Sequence, residues 1–198
     1  AIARSEMGIR KGTFWSPKGN YLAFYQKDES NVTEYPLVDI TRTPALINNI
    51  KYPMNGMASE IAKVGIFSIK SQSLIYLDID TSDEHYLTNL SWSPDEKFIF
   101  LAEVNRDQNH MWFNMYDANT GRKIKTLFEE KNDKWVEPEH PAVFLPGNNS
   151  EFLWMSERDG FMNIYKYDIN SSKESQLTYF NWVIKSIVGF DEGGKNVI

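Results

Sequence analysis

A chain of 198 residues is sized for one domain or part of a larger one. Its net charge of −6 comes with no Lys/Arg cluster, which argues against nucleic acid as the partner; with no cysteine, disulfides, thiol nucleophiles and thiolate metal sites are excluded. Aromatic residues make up 14%, with 6 Trp, 10 Tyr and 12 Phe, and such side chains fit strands better than helices.

In chain order, Ala1-Ile2-Ala3 opens without a methionine, so the natural N-terminus is expected to lie upstream. No apolar run reaches the ~18 residues of a transmembrane helix. A repeated pattern then organises the rest. Unit one carries Phe14-Trp15-Ser16-Pro17-Lys18-Gly19 and unit two Trp92-Ser93-Pro94-Asp95-Glu96-Lys97. Unit three carries Phe144-Leu145-Pro146-Gly147-Asn148, and unit four begins at Gly189-Phe190-Asp191-Glu192-Gly193-Gly194. Pro94 and Pro146 are 52 positions apart and Pro146 and Glu192 are 46 apart, whereas Pro17 and Pro94 are 77 apart, so unit one holds an insertion, placed at 31–62.

Each unit reads as short strands joined by tight turns. Unit two is predicted as strands 87–93, 98–104, 111–117 and 123–128, and unit three as 142–145, 151–157, 163–168 and 174–178. Unit four is predicted as 184–190 followed by a strand starting at 196. Proline fixes φ in the turns, and Asn, Asp and Gly accept the positive φ of tight hairpins. Four-stranded antiparallel units repeating every 40–50 residues or so are β-propeller blades. The fold class is therefore all-β, part of a β-propeller of about three and a half blades, with units at about 13–86, 87–135, 142–180 and 184–198. Trp15 and Trp92 are expected to pack between blades. Such a partial ring leaves unpaired edges, so the chain is expected to be a piece of a longer propeller; pairing with a second copy across those edges is the alternative.

The residues themselves offer no catalytic set. There is no Gly-x-Ser-x-Gly elbow and no glycine-rich phosphate loop. His85, His110 and His140 fall in different units without metal-ligand spacing, and no cofactor is called for. Asp80–Glu84 is acidic but lacks the glycine and closing glutamate of a calcium loop, and reads as a solvated hairpin. The Asn-x-Ser/Thr sequences at Asn31, Asn89, Asn148 and Asn170 are expected by chance in a chain this rich in Asn and Ser.

Four longer stretches carry a resemblance. They are KGTFWSPKGNYLAFYQKDESNVTEYPLVDI (11–40), KYPMNGMASEIAKVGIFSI (51–69), LTNLSWSPDEKFIFLAEVNRDQN (87–109) and FLWMSERDGFMNIYKYD (152–168). Within them, Tyr52-Pro53-x-x-Gly56, Asn105-Arg106-Asp107-Gln108-Asn109 and Ser156-Glu157-Arg158-Asp159-Gly160-Phe161 are each modest, but their shared order is specific. Together they resemble the N-terminal propeller of the dipeptidyl peptidase IV family, serine peptidases of the prolyl oligopeptidase clan, in wording like that of Bacteroidetes-type bacteria.

The resemblance implies an exported or periplasmic parent enzyme with an α/β-hydrolase domain outside this chain. That domain would carry the Ser-Asp-His triad and release N-terminal dipeptides with Pro or Ala second. This chain would gate access and help bind the substrate N-terminus, without catalysis of its own. Its partners would be the peptide substrate, the hydrolase domain and, in a homodimer, a second copy. Family members place two adjacent glutamates before the first Trp-Ser-Pro to hold the substrate ammonium. Here a gapless count puts that pair at Arg4 and Ser5, with Glu6 one place beyond as the nearest carboxylate. That departure leaves tripeptide release open. A loop before unit three reaches the cleft with an Arg in relatives; here the stretch Trp135–Pro141 has no Arg and offers Glu137 and Glu139. The competing reading is a stand-alone or Tol-associated-type propeller acting as a protein-interaction module, against which the insertion in unit one counts.

Overall fold

The serine of each Trp-Ser-Pro is what closes its hairpin. Ser16 accepts the Gly19 amide through its carbonyl at 3.0 Å and the Tyr21 amide through its hydroxyl oxygen at 2.9 Å. Ser93 repeats both contacts, to the Glu96 amide at 3.0 Å and the Phe98 amide at 3.0 Å. Both serines are buried, so the side-chain acceptor satisfies a backbone donor that water cannot reach. Proline then presets φ for the turn.

The structure, a computed structural model, describes Ile9 and residues 11–198. Its strands form three four-stranded antiparallel sheets and one separate hairpin. Sheet one orders β1 (Thr13–Trp15), β2 (Tyr21–Asp28), β5 (Ile61–Ser68) and β6 (Leu74–Tyr76). Between β2 and β5 the insertion supplies β3 (Glu34–Asp39) and β4 (Leu46–Lys51), paired only with each other. Sheet two is β7 (His85–Trp92), β8 (Phe98–Asn105), β9 (His110–Asp117) and β10 (Lys123–Lys131). Sheet three is β11 (Val143–Phe144), β12 (Glu151–Ser156), β13 (Asn163–Asp168) and β14 (Lys173–Gln176).

The period of two decides how the sheets stack. On β8, Ile99 and Leu101 join Ala23, Val64 and Ile66 of sheet one in one core cluster. The alternate residues Phe100, Ala102 and Val104 join Phe152, Trp154, Tyr165 and Tyr167 of sheet three in another. On β12 the same alternation sends Leu153 and Met155 to the far side, against Ile184, Ile187 and Phe190. Face-to-face stacking of twisted antiparallel sheets about successive seams is blade packing.

Four expectations need correction. Trp92 is buried at the first seam, stacked on Tyr21 at 5.9 Å between ring centroids and donating its indole N–H to Phe14 O at 3.2 Å. Trp15 occupies the same place in unit one but is 61% exposed, because no sheet among the described residues packs on that face of sheet one. In unit four only Phe190 and Val197 pair, so the two predicted strands reduce to a bridge. Residues 80–84 form the connector from β6 to β7 rather than a hairpin. In unit three the last strand ends at Gln176, earlier than predicted, because the Thr178 hydroxyl takes over as acceptor for the Ile164 amide at 2.9 Å.

Candidate functional site

The register places one set of loops at a common end of the sheets. His85 lies opposite Asn105, and His110 opposite Lys131. The β8–β9 loop, the start of β7 and the end of β10 therefore share that end, and the connector 132–142 leaves from it.

Asn105 organises the loop. Its carboxamide oxygen accepts the amides of Asn109 and His110, each at 3.0 Å, which fixes the Asn-Arg-Asp-Gln-Asn turn. The turn in turn holds the connector: the Asn132 amide donates to Asn109 O at 3.0 Å and the Val136 amide to Gln108 O at 2.6 Å. From the other side, the Asn89 amide group donates to Pro138 O at 2.8 Å. Val136 and Ala142 are buried in one cluster with Ile9, Tyr86, Val104 and Met111. Ile9, three residues past Glu6, thus shares its core cluster with the connector. Arg4, Ser5 and Glu6 themselves lie outside the described residues.

A cleft of about 230 Å³ opens beside the connector, with Trp135, Glu137 and Pro138 on one wall and Met155, Ser156 and Glu157 on the other. Glu137 is half-buried on its wall, whereas Glu139 is exposed and does not line the cleft. The two carboxylates offered by the sequence are therefore not brought together in it.

The cleft floor was not singled out by sequence reasoning. The Arg158 guanidinium donates to Glu130 at 2.6 Å, to Glu174 at 2.9 Å and to the Ser156 hydroxyl oxygen at 3.0 Å. It also lies over the Tyr165 ring at 4.4 Å, a stacking geometry suited to a planar cation. Glu130 further accepts the Trp154 indole N–H at 2.8 Å and the Ser156 hydroxyl at 2.9 Å. Burial alone would pull the Arg158 pKa down, but Glu130, then Tyr167 and Glu174, outweigh it and hold the pKa above the ordinary arginine value. With each of its three nitrogens donating to one of these partners, the cation is a structural pin across the second seam. The signal in the sequence was the Ser-Glu-Arg-Asp-Gly-Phe stretch, which spoke for the family but not for a cross-sheet partner in β10.

Beside the cleft, His110 bonds Glu129 at 2.8 Å while resting on the Trp112 ring at 3.7 Å. That bond, with Lys131 nearby, holds the Glu129 carboxyl below its usual range. Among the described residues, no three His, Asp or Glu side chains group closely enough to hold a metal ion. The cleft can present carboxylates and an aromatic wall to a ligand.

Stacked four-stranded antiparallel sheets with seam-facing tryptophans define part of a β-propeller, with Ile9 and a held connector sharing one core cluster. The sequence profile of the dipeptidyl peptidase IV (DPP IV) N-terminal region matches residues 2–198, and the chain belongs to that family. Among solved structures, a protein assigned as a dipeptidyl aminopeptidase IV from Bacteroides ovatus is 45% identical, with a TM-score of 0.93 over 99% of this chain and 30% of that one. Dipeptidyl peptidase 4 of Porphyromonas gingivalis shares the fold at 23% identity, with a TM-score of 0.78 over 96% of this chain and 27% of that one. Among curated proteins, the probable dipeptidyl-aminopeptidase B of Phaeosphaeria nodorum is 26% identical over 87% of this chain. The chain spans 22% of that relative's length.

Proposed function

We propose that the chain is the propeller portion of a dipeptidyl-peptidase-IV-like serine exopeptidase, with the hydrolase domain elsewhere in the parent protein. In this reading the parent is exported or periplasmic and releases N-terminal dipeptides with Pro or Ala second. The propeller portion carries no catalytic residue; it gates entry and helps bind the free N-terminus of a peptide. The observation that carries the reading is that Ile9 and the connector residue Val136 share one buried core cluster in a chain matched to this family over 2–198. It supports one end of the propeller as the place where the N-terminal segment and the Glu137 connector act together. Glu6, with Arg4 and Ser5 at the family's paired positions, is the candidate anchor. A fixed carboxylate gives an ammonium a charge-assisted bond that an internal peptide nitrogen cannot make.

The experiment uses the full-length parent with Ala-Pro and Gly-Pro chromogenic amides, free or acetylated at the N-terminus. Rapid release from the free amines and refusal of the acetylated forms is expected. Glu6→Gln should raise KM for the free amines. No cleavage, or equal cleavage of the acetylated forms, would overturn the assignment.

The homodimer would use the β3–β4 hairpin. Val38, Ile40 and Ile47 on it are 60%, 82% and 68% exposed. The hairpin pairs with no other strand among the described residues, and a lone two-stranded hairpin is marginal in water, which supports a second copy as its cover.

A further inference from the structure

Asn89 sits where β7 breaks register. The pairing of β7 with β8 runs from His85 to Thr88, shifts, and resumes at Ser91, so the strand carries a bulge at 89–90. Its backbone is left-handed, with φ of 54°, a conformation that Asn tolerates better than other residues with a side chain. Bulges re-aim side chains beside functional sites. Here the bulge turns the Asn89 side chain toward the connector, where it donates to Pro138 O at 2.8 Å. The residue is 7% exposed and Pro138 is also buried, so neither group can exchange the bond for water. That burial also removes Asn89 as a glycosylation acceptor despite its Asn-Leu-Ser sequence.

The bond acts at the one point of the connector that matters for the cleft. Pro138 lies next to Glu137, and both line it. Proline has no N–H, so at position 138 itself the connector has no backbone donor to anchor it. Val136 is tied to Gln108 on one side of Glu137, and Asn89 ties Pro138 on the other. Glu137 is thus held between two fixed points, one of them a side chain carried by a different strand.

We infer that Asn89 is a positioning residue for peptide binding: it fixes the 136–138 stretch so that the connector presents Glu137 to the cleft. This rests on the peptidase reading above. Asn89 touches no substrate and acts only through Pro138.

The test compares the full-length parent with its Asn89→Gly and Asn89→Asp variants. Glycine keeps the left-handed backbone and loses the donor. Aspartate keeps the size and sets an acceptor against the Pro138 carbonyl. Both variants should keep their melting temperature within a few degrees and show at least tenfold faster hydrogen exchange at the Val136 and Glu137 amides. Exchange in β12 and β13 should be unchanged. KM for free-amine dipeptide amides should rise about tenfold, with kcat changed less than twofold. Unchanged connector exchange in both variants would overturn the inference, because the side chain would then hold nothing. Faster exchange with unchanged KM would overturn it too, and would leave the peptidase reading intact. Failure of the unmodified parent to cleave any free-amine substrate would instead remove the peptidase reading, and this inference with it. If Asn89→Asp is poorly folded, Asn89→Gly alone decides.

Discussion

Replacing Glu96 should expose how the first seam is fastened. In the turns of units one and four the corresponding position is glycine, Gly19 and Gly194, with φ of 75° and 65°. Glu96 adopts the same left-handed backbone at φ 65°, which for a residue with a Cβ costs about 1 kcal/mol. The seam supplies the compensation. The Glu96 carboxylate accepts the Lys18 amide and the Asn20 carboxamide of unit one, both at 2.6 Å. Charge-assisted bonds of this kind contribute about 1.5–3 kcal/mol each when partly buried. Glu96→Gly therefore loses roughly 3–6 kcal/mol of bonding and recovers about 1 kcal/mol of strain. Glu96→Ala loses the bonds and keeps the strain, so stability should fall in the order Glu, Gly, Ala. Thermal unfolding of the full-length protein, read by tryptophan fluorescence, gives the order, and exchange of the Lys18 amide gives the local opening. Acid dependence follows with a definite sign. Burial raises the Glu96 pKa, but hydrogen bonds from Ser16, Asn20 and Lys18 outweigh it and leave the carboxyl below its usual value. The folded pKa is depressed, so this stabilisation is present above the unfolded value and is lost as pH falls through the folded one. Glu96→Gln should remove that part of the acid sensitivity. A glycine variant as stable as the parent protein would refute the cross-seam argument; equal stability of the glycine and alanine variants would refute the strain.

Gly121→Ala should be far more damaging than Gly19→Ala. A Cβ at Gly121 would lie 2.2 Å from Tyr76 O across the first seam, and backbone cannot yield, so a loss of about 3 kcal/mol or more is expected. A Cβ at Gly19 meets nothing within 4 Å, and the left-handed backbone alone should cost about 1 kcal/mol; paired melting curves separate the two. For the hairpin, Val38→Asp combined with Ile47→Asp places two like charges on directly paired positions. Light scattering should show the full-length protein shifting from dimer to monomer, and an unchanged mass would remove the hairpin as the dimer surface.

The blades were legible because their signal is local. Phe98–Val104 reads FIFLAEV, apolar on both alternating faces up to Ala102, and a strand apolar on both faces is expected to lie between two sheets. It does: Ile99 and Leu101 face sheet one, and Phe100 and Ala102 face sheet three. Burial at a given word was not legible. Trp15-Ser16-Pro17 and Trp92-Ser93-Pro94 are the same word in the same turn, yet only Trp92 is covered, because a sheet face is buried by its neighbour and not by its own sequence. The site failed for a related reason. Glu96 reaches Lys18 across 78 positions, Asn89 reaches Pro138 across 49, and Glu130 reaches Arg158 across 28. In a stack of blades such separations fall at seams, where no periodicity predicts which side chain meets which. Asn89 was hidden twice over, since Asn-Leu-Ser invites the glycosylation reading and a bulge leaves no mark in an alternating pattern. What betrays these residues is departure from the repeat. Glu96 stands where units one and four have glycine, and Asn89 interrupts a ladder otherwise regular on both sides. In a propeller the repeated positions build the blades, so the positions that break the repeat are where seam and site residues should be sought first.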